Sequence, residues 1–279
     1  MSDIITIFTD TPLSDWNLSI VAGIVLAAIV AALSYRFAFL DTCGSILAFI
    51  MGAVIFGFGG WAYTFPILVF FILSSILSKS GRKRKKRPEI SYQKGAVRNA
   101  YQVLANGGVP TALVLVAYFS QSEPVFYLYI AAIAAATADT WGTEIGILAK
   151  SRPVFITNLK PVPPGTSGAI SVLGSFSALS GSFIIVLTGG FFIGFNLYQM
   201  IILTLIGFGG SLMDSLLGAT IQGQFKCAIC KKTTEKKNHC GSETTLQKGI
   251  YWFDNDLVNI GAVFYSTLVA FLIFIKEIF

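Results

Sequence analysis

Three acids stand inside stretches of sequence apolar enough to cross a membrane. Asp139 and Glu144 lie in "ATADTWGTEIG" (136–146), and Asp214 lies in "GFGGSLMDSLLGATIQ" (207–222). A charged side chain at membrane depth is costly, by about 3 kcal/mol even on lenient scales, so each acid marks a functional site by default. The two stretches share an order of acid, hydroxyl and glycine. Gly210 and Gly218 sit four residues either side of Asp214, on its helix face, where a neighbouring helix or a ligand can approach closely. Helix packing alone explains the glycines but not the acid. Between the two stretches runs "NLKPVPPGTSGAISVLG" (158–174), in which prolines stiffen the approach to Gly165-Thr166-Ser167-Gly168 and a new helix is predicted to follow at once. Backbone N–H groups, hydroxyls and the positive end of a helix dipole converge in such a turn, as an anion or phosphate site requires, and Lys160 adds a mobile cation. An ordinary loop with Thr166 or Ser167 as N-cap uses the same residues. The acids strengthen the first reading, because carboxylates hold Mg²⁺ and Mg²⁺ bridges phosphates.

Two further groups carry chemistry. Arg98, Gln102 and Asn106 recur every four residues and form one polar stripe on a predicted helix, just before "NGGVP" (106–110), whose glycines and proline are expected to loosen or break it. In "CAICKKTTEKKNHC", Cys227 and Cys230 form a C-x2-C pair and His239 adjoins Cys240. Three thiolates and one imidazole suit tetrahedral zinc in a structural role, the alternative being reduced structural thiols. Cys43, alone in an apolar span, reads as packing. "YWFDNDLVN" (251–259) opens the last helix, with Asp254 and Asn255 as N-cap residues, while Asp256 and Asn259, three apart, share a face and could complete a metal and nucleotide site.

The elements that must position these residues are membrane helices. Of 279 residues, 54% are hydrophobic and 12% charged, about half the charge of a soluble chain, which is roughly 25%. The predicted fold is an all-α polytopic helical bundle forming a single domain over 1–279, with a small cytoplasmic Cys/His loop at 223–255. About eight spans of roughly 20 residues fit, near 17–35, 43–60, 61–78, 97–119, 124–149, 168–190, 198–222 and 256–276. The least marked boundary is Gly59-Gly60, and seven spans is the alternative. With acids at Asp3, Asp10 and Asp15 and no basic segment before the first apolar run, no cleaved signal peptide is expected.

Basic residues cluster at 79–87, at Lys150, Arg152 and Lys160, and at 226–237. With eight spans and both termini outside, all three clusters fall on the cytoplasmic face. The net charge of +6 therefore points to topology and anionic lipid rather than to nucleic acid. Asp139 lies about 11 residues before Lys150, roughly 16 Å along a helix, in its cytoplasmic half. Glu144, five residues on, points about 140° away from Asp139 on an ideal helix. Both face one cavity if the helix unwinds, for which Gly142 is well placed. Otherwise Glu144 turns elsewhere, toward Arg98 or Lys150.

"RNAYQVLANGGVP", "ADTWGTEIG", "KPVPPGTSGAISVLG", "DSLLGATIQ" and "WFDNDLVN", in that order, resemble the membrane family that includes plant phytyl-phosphate kinase and animal transmembrane protein 19. The resemblance covers most of the chain from Ala48 onward. It implies phosphoryl transfer from a nucleoside triphosphate, CTP being expected, to an isoprenoid monophosphate. On that reading Asp139 and Asp214 hold Mg²⁺, with Glu144, Asn106 or Asp256 as further candidates. Gly165, Thr166, Ser167, Gly168 and Lys160 would cradle nucleotide phosphates, with Gln102 and Asn106 as additional phosphate-binding candidates. Arg98 would neutralise the acceptor phosphate. The partners implied are the nucleotide, a prenyl-phosphate lipid and the bilayer, with homo-oligomerisation left open and no nucleic acid. The competing readings are a secondary transporter with an intramembrane acidic site, a prenyl-alcohol kinase and a membrane scaffold. A transporter predicts polar residues continuing through the outer half of the spans, where the sequence has few.

Overall fold

The computed structural model describes residues 16–80 and 97–278. The N-terminal acids and the basic run 82–87 lie outside the described residues, as do Met1 and Phe279, and with them the expected placement of the termini. Seven helices occupy the described residues: α1 (Trp16–Arg36), α2 (Thr42–Lys79), α3 (Ala100–Ser120), α4 (Val125–Gly146), α5 (Val172–Ile193), α6 (Leu197–Thr220) and α7 (Asn255–Ile278).

A straight helix with the 38 residues of α2 would be about 57 Å long, nearly twice the thickness of a bilayer core. Gly60 breaks it, at φ 62° and ψ −157°. A Cβ there would meet nothing within 4 Å, so the backbone angle rather than lack of space selects glycine. Lys79 at the far end donates to the Phe37 carbonyl and sits 3.9 Å from the centroid of the Phe39 ring. Lys79 is therefore back beside the start of its own helix, and the two arms fold against each other. The predicted boundary at Gly59-Gly60 is the fold-back point. The eight predicted spans map onto α1, the two arms of α2, and α3 to α7. Among the described residues the six helices α2 to α7 are long and apolar enough to cross a membrane, while the apolar part of α1, 20–36, is shorter.

The connections sort to two ends. At one, Asp41 N–H donates to Arg98 O and Arg98 N–H to Phe39 O, Ser78 Oγ donates to Glu144 Oε1 at 2.7 Å, and Ser167 Oγ donates to Gln222 Oε1 at 2.5 Å. At the other, Phe195 packs on Phe126 and Tyr127, and Gln199 Nε2 donates to the Tyr127 hydroxyl. We refer to the first as the basic end, because it gathers Lys79, Arg98, Lys150, Arg152 and Lys160, whereas the turns 121–124 and 194–196 hold no lysine or arginine.

The core runs along α4, whose apolar window is 72% buried, against 28% for α3 and α6. Its "AAIAAATA" sequence makes this possible, since alanine lets neighbouring backbones close in. A Cβ on Gly207 of α6 would lie 2.6 Å from that of Ala134, and one on Gly210 2.6 Å from that of Ala135. Small residues at helix crossings are the usual device where no water is present to drive association. Val172, Phe176, Phe119 and Phe191 stay exposed on the outside, as a lipid-facing surface requires.

Two local expectations are corrected. Helix α3 runs unbroken through Pro110. Gly107 gives Met51 room against the helix, a Cβ there falling 2.5 Å from Met51 Cε, and Thr111 Oγ1 donates to the Gly107 carbonyl. The helix predicted from 168 begins at Val172, because Ala169 and Ile170 are taken up as β2 (Ala169–Ile170), pairing antiparallel with β1 (Val154–Phe155). After α6, β3 (Gln224–Cys227), β4 (Thr233–Thr234), β5 (Asn238–His239) and β6 (Ser242–Lys248) form an antiparallel sheet in the order β4-β3-β6-β5. It fills most of the insert expected at 223–255.

Candidate functional site

Three helices bring the same spacing to one cavity at the basic end. Helix α4 lines it with Asp139, Gly142, Thr143 and Gly146, and α5 with Ser171, Gly174, Ser175 and Ala178. From α6 come Phe208, Ser211, Leu212 and Ser215, and Asp214 beside them. Each set follows the i, i+3, i+4, i+7 pattern of a single helix face. The cavity is about 130 Å³ and is lined further by Pro153, the turn 164–170, Glu235 of the sheet insert and Asn255 of α7. Its walls mix apolar carbons with hydroxyls, carboxylates and bare backbone.

The glycines set the close approach of α4 and α5. A Cβ on Gly174 would lie 2.9 Å from the Gly142 carbonyl, and one on Gly146 3.1 Å from Gly174 Cα. This brings the N-terminal end of α5, capped by Ser171 accepting from Gly174 N–H at 3.1 Å, beside the last turns of α4. Ser171, and not Thr166 or Ser167, is therefore the cap.

The Gly-Thr-Ser-Gly turn is held from both sides. Ile156 N–H donates to Gly168 O at 3.0 Å and Thr166 Oγ1 to Pro163 O at 2.7 Å. Gly165 and Gly168 have φ 81° and 79°, which glycine accepts without strain. Gly168 lies against α6, where a Cβ would come 2.5 Å from that of Ala219, and Ser167 fits over Gly218, whose own Cβ would lie 2.6 Å from Ser167 Oγ. The turn and the Asp214 helix are thus locked to each other.

Asp139 and Asp214 are both half-buried and line the same cavity from different helices. With its amide turned to donate, Asn259 Nδ2 lies 2.8 Å from Asp214 Oδ2. A buried donor of this kind orients a carboxylate and leaves its other oxygen directed elsewhere.

Other candidates go elsewhere. Helix α4 does not unwind at Gly142. Glu144, 5% exposed, accordingly turns to the opposite face and accepts from Ser78 rather than lining the cavity. Arg98, Gln102 and Asn106 line a different pocket of about 110 Å³, between α1, α2 and α3, walled by apolar residues such as Leu40, Met51, Ile55 and Phe70. Lys160 is exposed and off the cavity wall, its N–H bonded to Asn158 Oδ1. Asp256 is also off the wall. Asp254 caps the start of α7, accepting from Asp256 and Leu257 N–H, and Asn255 faces the cavity in place of Asp256.

Sequence reasoning missed Glu235 altogether, since a lone acid in a lysine-rich loop carries no periodic signal. Ser211 and Ser215, four residues apart on one helix face flanking Asp214, could have been found from that spacing. The Cys227, Cys230, His239 and Cys240 ligand atoms lie within 4.8 Å of one another. Hydrogen bonding from the Cys230 backbone, and then from the His239 side chain, draws the Cys227 thiol down to about 6, while its contacts with Cys230 hold Cys240 up to about 11.

The profile of the family described as integral membrane protein DUF92 matches residues 25–267, and the chain belongs to this family. Protein PGR of Arabidopsis thaliana is 31% identical over 279 positions, covering 90% of this chain and 94% of that protein. An uncharacterized membrane protein of Methanocaldococcus jannaschii is 32% identical over 246 positions, covering 88% and 94%. Protein VTE6, chloroplastic, of Arabidopsis thaliana is 20% identical over 238 positions, covering 84% of this chain and 65% of that protein. No solved structure matches the chain.

Proposed function

We propose that the protein is a membrane-embedded kinase, transferring the terminal phosphoryl group of a nucleoside triphosphate, CTP as the expected donor, to an isoprenoid monophosphate. The observation that carries this reading is a single cavity lined at once by Asp139, Asp214 and the Gly165–Gly168 turn. Two acids on separate helices beside a glycine turn and a helix N-terminus form the donor set that a divalent cation and phosphates share. The resemblance to the family of phytyl-phosphate kinase, and the distant likeness to Protein VTE6, supply the substrate class.

In the reaction, the bond from the γ-phosphorus to the β–γ bridging oxygen breaks. A new bond forms to an oxygen of the acceptor phosphate, giving a prenyl diphosphate and a nucleoside diphosphate. The acceptor is already anionic, so no strong base is needed. Positioning and charge neutralisation carry the step. Asp139 and Asp214 would hold Mg²⁺, which supplies positive charge to the phosphate oxygens. Ser171, Ser175, Ser211 and Ser215 offer hydroxyl donors, and the turn offers backbone N–H groups. Because Arg98 lines a separate pocket, both phosphates are assigned to the Asp139–Asp214 cavity. The basic end would face the cytoplasm, following the rule that lysine and arginine concentrate there.

A carrier needs a route onward from the acids. Deeper than Asp139 the helices close, with Ala135, Ile185 and Leu203 at most 1% exposed, which favours the kinase over the transporter. The test is incubation of purified protein with labelled CTP, ATP, GTP or UTP and phytyl, farnesyl or geranylgeranyl monophosphate, with the matching alcohols in parallel. Prenyl diphosphate is the expected product. Phosphorylation of the alcohols alone would reassign the acceptor, and absence of transfer from every nucleotide would overturn the proposal.

A further inference from the structure

The sheet insert has little of its own to hold it together. Of the residues in its four strands, Phe225, Cys227 and Thr234 are buried, at 2%, 0% and 3% exposed, and most of β6 is open to solvent. A sheet of this size does not bury enough apolar surface to be stable alone, and proteins of this scale use disulfides or a metal instead. In this structure the four cysteines are free thiols, and Cys43 lies at the start of α2, outside the insert.

The backbone is shaped for a metal. Cys227 ends β3, and the chain curls back so that Lys231 N–H donates to Cys227 O at 3.1 Å, with Lys231 itself at φ 59°. That turn folds Cys230 over Cys227. On the facing side, His239 and Cys240 are adjacent, and on an extended strand neighbouring side chains point to opposite faces. Cys240 at φ 54° and Gly241 at φ 75° break that alternation and bring both side chains to the same side. His239 Nδ1 consequently lies 3.2 Å from Cys240 Sγ and 3.5 Å from Cys230 Sγ, and the four ligand atoms lie within 4.8 Å of one another. Around tetrahedral zinc, with bonds of about 2.3 Å to sulfur and 2.0 Å to nitrogen, ligand atoms are spaced roughly 3.5–3.8 Å apart. The His239 Nδ1 spacings of 3.2 and 3.5 Å lie close to that range, and with all four atoms within 4.8 Å the rest need contract by no more than about 1 Å to reach it.

We infer that Cys227, Cys230, His239 and Cys240 form a structural zinc site that clamps the insert and so holds Glu235 at the mouth of the Asp139–Asp214 cavity. Glu235 lies five residues after Cys230 and four before His239, inside the loop that the metal closes. It follows the buried Thr234, whose Oγ1 accepts from Lys236 N–H at 3.1 Å, so its backbone is fixed on both sides. The role of Glu235 rests on the kinase reading, whereas the metal site does not.

The experiment uses the full-length protein purified in detergent without chelator. Elemental analysis is expected to give about one zinc per chain, as a closed four-ligand site requires. Cys227→Ser and Cys230→Ser should lose most of it, while His239→Cys, which keeps four ligands, should retain it. Chelation should speed tryptic cleavage after Lys236 and Lys237 about tenfold, and added Zn²⁺ should reverse this, as expected where metal binding supplies local folding energy. Metal-free wild-type protein, or full zinc retention in Cys227→Ser, would overturn the site. Unchanged cleavage on complete zinc removal would overturn the clamp. Zinc content and proteolysis are read without turnover, so failure of the kinase assay leaves both results interpretable.

Discussion

Among the described residues, two pockets of similar size lie at the basic end, about 130 and 110 Å³, and both are announced in the sequence by polar residues in apolar helices. They differ in what those residues do. Around the first, Asp139, Ser175, Ser211, Asp214 and Ser215 come from three helices and converge on one space. Around the second, Arg98, Gln102 and Asn106 come from one helix and its approach, and the wall opposite is apolar. There, hydrogen bonding is largely local. Gln102 and Asn99 form a reciprocal capping box, with Gln102 Oε1 accepting from Asn99 N–H at 3.1 Å and Asn99 Oδ1 from Gln102 N–H at 3.0 Å. Asn106 Nδ2 donates to the Gln102 carbonyl at 2.9 Å. A polar stripe on a single helix can thus be consumed by that helix's own backbone. The hydroxyls of α5 and α6 keep that outlet, as Ser177 does with Leu173 O. An ionised carboxylate is acceptor-only and cannot donate to its own helix's carbonyls, which is why acids converging from two helices indicate a site better than polarity does.

The largest expected effect breaks that comparison if it fails. Asp139→Asn and Asp214→Asn keep side-chain size and remove charge, and each should lower turnover at least about 100-fold, in the range for losing a preorganised electrostatic group. The fold should persist, measured as an unchanged elution profile and melting temperature. Near-normal turnover in Asp214→Asn would remove α6 from the site and leave the two pockets without a chemical distinction.

Next in size is the turn. Gly165, at φ 81°, cannot take a β-branched side chain without strain. Gly165→Val should raise the nucleotide KM about tenfold or more and leave prenyl-phosphate binding intact. Lys160→Ala, which removes an exposed charge away from the cavity wall, should change it less than about threefold, as for a solvent-screened contact. Loss of lipid binding with nucleotide affinity retained would reverse the assignment of the two phosphates within the cavity.

Much of this arrangement was legible in the sequence, for identifiable reasons. A carboxylate in a membrane helix is expensive enough that Asp139 and Asp214 stand out unaided, and the length of the apolar run 43–78 requires a fold-back that Gly60 provides. The face of Glu144 was legible as a condition. Five residues from Asp139 it points away unless the helix unwinds, and whether Gly142 unwinds depends on how α5 packs, which is a tertiary fact. The start of α5 was misplaced because Ala169 and Ile170 have a partner strand 15 residues back, a pairing that local pattern does not encode. Strands β4 to β6 are almost wholly polar, and β3 alternates polar and apolar over only four residues, Gln224 to Cys227, too short a run to announce a strand. Glu235 went unseen for the same cause, since its place depends on that sheet.

The smallest effect sharpens the comparison from the other side. If Gln102 serves the backbone rather than a ligand, Gln102→Ala should cost stability and not chemistry. It removes half of the capping box at the start of α3, where the Asn99 N–H would lose its acceptor, and losses of helix caps run to about 1 kcal/mol. Asn99 N–H is exposed enough for water to take over part of that role, so the loss should fall below this figure. The melting temperature should drop by a few degrees at most, the shift of roughly 2–4 °C per kcal/mol that proteins of about 150–250 residues show. Turnover and nucleotide KM should stay within about twofold, the margin of a substitution that misses the transition state. A fall in turnover comparable to that of Asp139→Asn, without loss of stability, would mean that the α3 stripe acts on the reacting groups. The two pockets would then have to be read as parts of one site.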